Sequence, residues 1–292
     1  MEELLGTLTT GIITDENDTH FFVQKNGQTF QLLKTEGEHA LGDSIEGFFY
    51  INADQKLSFT TEIPNIRQGH YGFGIVVKAR RDLGVFVDIG LPDKDVVVSL
   101  DFLPEMKELW PKPGDVLYLT ITVDQKDRIW GLLADENIFL SLFKKLRAED
   151  NWQNKEVEGV AYRLKLAGTF VLTSDFHQGF IHPNERFKEP RLGEQLKARV
   201  IGVSPHGYLN LSLKPRAFEI IDDDAQMLLT FLERAEENKI PFTDKSTPES
   251  IQQQFGISKA QFKRAIGHLL KAKKIKQVDG WTVLLDTEIE SN

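Results

Sequence analysis

The 292-residue chain contains no cysteine. That excludes disulfides, thiolate zinc sites, iron–sulfur clusters and cysteine nucleophiles, and it fits a reducing compartment. No apolar run approaches the roughly 20 residues that span a bilayer. The opening Met1-Glu2-Glu3-Leu4-Leu5 is acidic where a secretory signal needs basic residues. The expectation is a cytoplasmic protein with no membrane contact. Basic residues are also in deficit, 35 Lys and Arg against 44 Asp and Glu, a formal net charge of −9. This balance argues against a protein that coats nucleic acid by charge alone. Signatures of catalysis are missing: no G-x-x-x-x-G-K-[ST] loop, no H-E-x-x-H, no G-x-S-x-G elbow and no dinucleotide-binding strand, Gly-rich turn and helix. No catalytic residue, metal site or cofactor is expected. His177 and His182, with Asp175 and Glu185 nearby, read as turn residues plus one binding contact rather than metal ligands. Asp93 and Asp95 read as a solvated loop, and Asp222 to Asp224 as a helix N-terminus that favours negative charge.

What the chain does hold, up to about residue 214, is short apolar or alternating runs broken by Gly, Asn and Asp, which is strand patterning. One phrase recurs at roughly 65–75 residues, an internal repeat. In the second copy it runs Gly74-Ile75-Val76-Val77, Gly84-Val85-Phe86-Val87-Asp88, then Gly114-Asp115-Val116-Leu117-Tyr118-Leu119 and Asp124 to Trp130. In the third it runs Gly159-Val160-Ala161-Tyr162, Gly168-Thr169-Phe170-Val171, Gly179-Phe180-Ile181-His182, Gly193-Glu194-Gln195-Leu196 and Gly207 to Leu213. A degenerate first copy keeps Gly11-Ile12-Ile13, Phe21-Phe22-Val23, Gly42-Asp43-Ser44 and Lys56-Leu57-Ser58-Phe59. Five strands in about 70 residues, opened by a glycine that lets the first strand curl, point to a small Greek-key barrel of the OB type rather than a generic sandwich.

From Asp222 the apolar spacing becomes helical, as in Phe262, Ile266, Leu269 and Leu270. Thr247 is placed to cap a helix beginning at Pro248, Gly256 to end it, and Ser258 to cap the next. An Asp279-Gly280 hairpin follows, completing a winged helix. Between Lys259 and Lys276 there are seven basic residues and no acidic one. The run either neutralises phosphates or merely solvates a packed helix.

The predicted fold is therefore mainly β with an α+β tail: three five-stranded OB barrels at 1–61, 62–140 and 151–214, a helical linker at 141–150, and a winged-helix domain at 215–292. Charge differs along this division. Residues 1–61 hold 3 basic and 10 acidic residues, 62–140 hold 9 and 13, 141–214 hold 12 and 8, and 215–292 hold 11 and 13. The third barrel, the basic segment, is the best candidate for a phosphate-tracking groove.

The fragments Asp82-Leu83-Gly84-Val85-Phe86-Val87, Gly179 to Glu185, Asp124 to Ile129 and Leu209 to Lys214 resemble the RNA-binding S-one domain of the small ribosomal subunit. Three such barrels followed by a winged helix, with the junction Phe59-Thr60-Thr61-Glu62-Ile63-Pro64, resemble the bacterial conserved virulence factor B family. That resemblance implies a non-catalytic RNA-binding protein that regulates gene expression after transcription. The S-one pattern implies RNA contacts at Phe86, Asp124 and Arg128 in the second barrel, with Leu83 and Val98 standing where an aromatic and the His are usual. In the third barrel it implies Phe170 and His182, while Ala167, Ser204 and Tyr208 replace the other aromatic, the Asp and the Arg, and Tyr208 offers a stacking ring instead. In the first barrel Phe21 or Phe22 and Lys56 occupy comparable places, with Phe22 and Lys56 taken as the contacts. His70, Tyr71 and Phe73, just ahead of the second barrel, offer extra stacking surface. The expected partner is single-stranded RNA, bound by a monomer, with duplex nucleic acid a second partner through Lys259, Lys263 and Arg264. Two other readings stay open: a DNA regulator led by the winged helix, and a scaffold linking RNA or ribosomes to proteins.

Overall fold

The computed structural model describes residues 4–147, 151–215 and 217–285, with side chains for all of these but 217–222. The first compact unit ends at Leu213 and holds three closed five-stranded barrels. Barrel one comprises β1 (Leu8–Glu16), β2 (His20–Lys25), β3 (Gln28–Leu33), β4 (Ser44–Ile51) and β5 (Leu57–Thr60). Barrel two comprises β6 (Gly72–Arg80), β7 (Gly84–Asp88), β8 (Val96–Ser99), β9 (Val116–Val123) and β10 (Ile129–Leu133). After α1 (Glu136–Leu142), barrel three comprises β11 (Glu156–Lys165), β12 (Gly168–Thr173), β13 (Gln178–Ile181), β14 (Gln195–Val203) and β15 (Leu209–Ser212). In each barrel the third and fifth strands pair in parallel, and the first strand pairs with both the second and the fourth.

The first strand does both because it bends, and two devices bend it. A bulge lies at Ile13/Asp15, Val76/Lys78 and Ala161/Arg163 in the three copies. Just before each bulge stands Gly11, Gly74 or Gly159, where a Cβ would lie only 2.3 to 2.6 Å from Val23, Val87 or the Leu172 carbonyl. Only glycine lets the strands approach so closely. Alternation then sorts the side chains: Val85 and Val87 are buried while Phe86 between them turns outward. Phe30, Phe49 and Phe59 fill barrel one edge to face, with centroids 4.7 and 4.8 Å apart.

Neighbouring barrels are fastened by polar ties over apolar contacts. Phe48 and Tyr50, on the outer face of β4, join the apolar cluster of barrel two. The Tyr50 hydroxyl donates to Asp93 at 2.9 Å, and the Lys94 ammonium donates to the Ile51 carbonyl. Asp93 is thus an exposed loop residue, as expected, that also ties the junction. Between barrels two and three, Arg191 donates twice to the Asp115 carboxylate, both at 2.9 Å, and the Val116 N–H donates to the Gly193 carbonyl. Leu192 enters the cluster of barrel two beside them.

The helix between these barrels lies at Glu136–Leu142, earlier than the 141–150 linker expected. Asp135 fixes its start by accepting from the Ile138 N–H at 3.0 Å. Residues 143–147 are not helical, and 148–150 fall outside the described residues.

The second unit, from Lys214, contains α2 (Ala217–Arg234), β16 (Lys239–Ile240), α3 (Pro248–Phe255), α4 (Lys259–Lys271), β17 (Ile275–Val278) and β18 (Trp281–Leu284). It is a winged helix around Leu228, Leu232, Ile251, Phe255, Phe262, Ile266 and Ile275. Thr247 caps α3, Gly256 ends it at φ 70°, and Ser258 with Gln261 forms a capping box on α4. The Asp222 to Asp224 run does not start a helix: α2 begins at Ala217. Asp224 is buried, accepts from Gln261 Nε2 at 3.3 Å, and is pushed above the usual carboxylate range by burial. Among the described residues no helix is long and apolar enough to cross a membrane.

Candidate nucleic-acid interface

The cross-strand registers define one outward row on each barrel, across its second, third and fifth strands. The rows are Phe22, Gln31, Ser58; Phe86, Val97, Trp130; and Phe170, Phe180, Asn210. The turn between the fourth and fifth strands borders each row and is the same turn three times. In Asn52 to Lys56, Asp124 to Arg128 and Ser204 to Tyr208, the first N–H donates to the last carbonyl and the fourth N–H returns to the first carbonyl. The fourth residue, Gln55, Asp127 or Gly207, has positive φ in every copy. Lys56, Arg128 and Tyr208 are therefore equivalent positions.

Barrel two builds its face around that turn. Asp124 accepts from the N–H groups of Lys126 and Arg128, from Arg128 Nε at 2.8 Å and from the Trp130 indole at 3.1 Å. The Arg128 guanidinium, first among these partners, holds the Asp124 carboxyl well below the usual carboxylate range. Asp124 thus acts as a positioning residue. What it positions is Arg128, whose guanidinium lies 5.3 Å from the Trp130 ring centroid. Lys78 covers Phe86 in the same manner at 4.4 Å. Together with Gln55 of barrel one, Lys94, Lys126, Arg128 and Trp130 line an open cleft of about 250 Å³.

Barrel three carries more rings. Phe170 and Phe180 lie 5.2 Å apart, Phe180 and Tyr208 5.9 Å, and Tyr208 stacks with His206 at 6.4 Å. All three of Phe170, Phe180 and Tyr208 are half-buried, so each ring keeps an open surface. Lys165 sits 5.4 Å from the Phe170 centroid. His182 is exposed, and its Nδ1 accepts from the Asn184 N–H at 3.2 Å, which leaves Nε2 to carry the ring N–H. His177 has a different task, bonding the Lys144 carbonyl through Nδ1 at 3.0 Å against Trp152.

The registers correct one expected equivalence. The place of His182 in barrel two belongs to Ser99, not Val98. Val98 is in the core, and Ser99 caps the turn Leu100–Phe102 as His182 caps Pro183–Glu185. In barrel one Phe21 faces the core and Phe22 is half-buried outside; Lys56 is exposed. Phe73 belongs to β6 itself, and Tyr71 stacks on Tyr118 at 6.0 Å. Trp130, Phe180, Lys78 and Lys165 were not among the expected contacts. Alternation alone offers the signal for the two rings, since Ile129 and Ile181 beside them are core residues.

On the winged helix, Phe262, Ala265, Ile266 and Leu269 of α4 face the core, and Lys263, Arg264, Gly267 and Lys271 are exposed. Lys259 is half-buried. Lys273, Lys274 and Lys276 extend the exposed basic surface toward the wing.

Family models match four stretches: "S1 domain" at 5–62, "CvfB first S1-like domain" at 71–132, "Virulence regulatory factor CvfB, second domain" at 127–215 and "CvfB-like winged helix domain" at 226–284. The "Uncharacterized protein YitL" of Bacillus subtilis is 40% identical over 272 residues, 92% of this chain and 90% of that protein. The "Conserved virulence factor B" of Staphylococcus aureus is 38% identical over 264 residues, 89% and 87% of the two. The chain belongs to the conserved virulence factor B family. A crystal structure from Streptococcus pneumoniae, described as a multidomain protein with nucleic acid binding domains, shares 53% identity and a TM-score of 0.71, covering 97% of this chain and 99% of that one. The chain thus contains S1-like and winged-helix domains of the nucleic-acid-binding type.

Proposed function

We propose that the protein binds single-stranded RNA, without catalysis, on the outward rows of barrels two and three, and regulates gene expression after transcription. The observation that carries this reading is the linked set of half-open rings Phe170, Phe180 and Tyr208, flanked by Lys165, on the basic segment of the chain. Half-open rings stack bases of any sequence, and flanking cations follow the phosphates, which is how OB barrels hold single strands. Phe86 and Trp130, overlaid by Lys78 and Arg128, repeat the arrangement on barrel two. In this reading Phe22 and Lys56 contribute a peripheral contact, and His182 donates through Nε2 to a phosphate or base. The protein acts as a cytoplasmic monomer whose linked weak sites add through effective concentration.

A second reading rests on α4, whose exposed Lys263, Arg264 and Lys271 form a cationic stripe suited to duplex nucleic acid. Fluorescence anisotropy with short single-stranded RNA, single-stranded DNA and duplex DNA, at low and physiological salt, separates the two. Tight RNA binding that Phe180→Ala weakens roughly tenfold or more, and that a Lys263→Ala/Arg264→Ala variant largely keeps, supports the barrels. Preference for duplex DNA, abolished by the double variant, assigns the function to the winged helix instead.

A further inference from the structure

A second concavity opens between barrels two and three. It holds about 450 Å³, within the range of about 300–1,000 Å³ typical of small-ligand pockets. Its aromatic walls are Tyr71, Phe102, Phe139 and Tyr162, and its charged groups include Glu136 and Arg163. Phe139 is buried and stacks on Tyr162 with centroids 4.0 Å apart, while Tyr118 backs Tyr71. The two tyrosine rings are therefore held by packing and present fixed surfaces. Phe102 is a large apolar side chain left 51% exposed.

Charge in the cleft selects the ligand. Two carboxylates, Asp135 and Glu136, line it against the single cation Arg163. A phosphate is repelled by that balance, whereas a base edge rich in N–H donors is attracted. Guanine offers two adjacent donors, N1–H and N2–H, to one carboxylate; the Watson–Crick edges of the other bases place an acceptor beside each donor. Asp135 already spends one oxygen capping α1, which leaves Glu136 as the acceptor. Glu136 is paired with Arg163 on an exposed rim, and the Arg163 guanidinium holds its carboxyl below the usual glutamate value.

The cleft also connects to the RNA face of barrel three. Arg163 is the cross-strand partner of Phe170, and Tyr162 lies 6.3 Å from Phe170 ring to ring. A strand stacked on Phe170 and Phe180 that continues past Arg163 arrives at the mouth of the cleft. We infer that this cleft is a guanine pocket for the RNA held on barrel three, with Tyr71, Tyr162 and Phe102 supplying stacking surface and Glu136, beside Arg163, accepting from N1–H and N2–H. The inference rests on the single-stranded RNA reading above and adds base specificity to it.

The test uses the full chain and an oligouridine of roughly 10–16 nucleotides, long enough to cover more than one barrel, with a single guanosine walked along it. At one register the guanosine should tighten binding by roughly tenfold, the low end of what a bidentate base contact gives, and adenosine at that register should not. Glu136→Gln should reduce the preference to less than about twofold while leaving oligouridine affinity unchanged, which also certifies the fold. Phe102→Ala, at an exposed position, should weaken the guanosine oligomer alone. Oligouridine binding with no guanosine preference, or a preference that Glu136→Gln retains, overturns the pocket and leaves the barrel faces standing. Binding of neither oligomer removes both readings. Competition by free GMP at micromolar concentration assigns the pocket to a free nucleotide and overturns its assignment to the strand.

Discussion

Arg191 ties barrel two to barrel three, and replacing it with Met should cost about 3–5 kcal/mol of unfolding free energy. Burial sets that size. The Asp115 side chain is 8% exposed and that of Arg191 19%, and the two make parallel 2.9 Å hydrogen bonds. An exposed pair of the same geometry contributes only about 0–1 kcal/mol. Met keeps most of the apolar stem but leaves the Asp115 carboxylate sealed away with the Lys112 N–H, 2.7 Å distant, as its remaining donor. Asp115→Asn removes the orphaned charge and still accepts from that N–H, so the double variant should recover most of the loss. Urea denaturation of wild type, both single variants and the double variant closes the cycle. The reasoning fails if Arg191→Met costs under about 1 kcal/mol, or if the double variant is as unstable as the two singles added. The same tie fixes the spacing of the outward rows of barrels two and three. Arg191→Met should therefore weaken an oligomer that spans both barrels more than one short enough for a single barrel.

Trp130→Ala should weaken single-stranded RNA by about 1–3 kcal/mol, read by anisotropy, the contribution of one stacked base; an unchanged affinity would show that the barrel-two row is not used. Gly267 sits inside α4 with nothing within 4 Å of where a Cβ would stand, so Gly267→Ala should stabilise the winged helix by about 1 kcal/mol in thermal denaturation. If the outer face of α4 meets nucleic acid closely, that more stable variant binds it less well. Burial, and then the bond to Asp93, push the Tyr50 phenol far above its ordinary value. A raised folded value means that this contribution to stability is intact below about pH 10 and lost as pH climbs above it. Unfolding free energy measured across that range should fall, and Tyr50→Phe should fall less steeply.

The parts of this fold legible in the sequence are those governed by local rules. Gly11, Gly74 and Gly159 mark the bent first strands because a Cβ there meets the next strand at 2.3–2.6 Å, and Thr247, Pro248, Gly256 and Ser258 mark the helix ends because capping uses neighbouring residues. Period-two alternation likewise leaves Phe86 outside once Val85 and Val87 are inside. Pairing between distant strands has no such local signature. Trp130 joins the row of Phe86 only through the parallel pairing of β10 with β8, and Phe180 meets Tyr208 across a turn that closes the barrel. A slip of one residue exchanges the faces of a strand, which is why Val98 reads as the equivalent of His182 when Ser99 holds that place. The cleft at Tyr71 and Tyr162 draws its walls from two barrels and α1 and has no motif at all.

The three barrels share one frame, so the differences among their rows report different uses of it. The turn before the fifth strand has the same hydrogen bonds in each copy, yet its last residue is Lys56, Arg128 or Tyr208. Barrel one ends its row at Ser58, buried beside its cross-strand partner Tyr50, which packs into barrel two. A row that ends in that junction leaves less open surface than the rows of the other barrels, and the barrel's 10 acidic against 3 basic residues disfavour phosphate as well. Barrels two and three keep their rows open and cover the rings with Lys78, Arg128 and Lys165. Alanine at Phe22 and Lys56 should therefore cost less RNA affinity than alanine at Phe86 and Arg128, and less again than at Phe170 and Phe180. A reversed order in the same anisotropy titration would mean that the barrel-one junction opens when RNA binds.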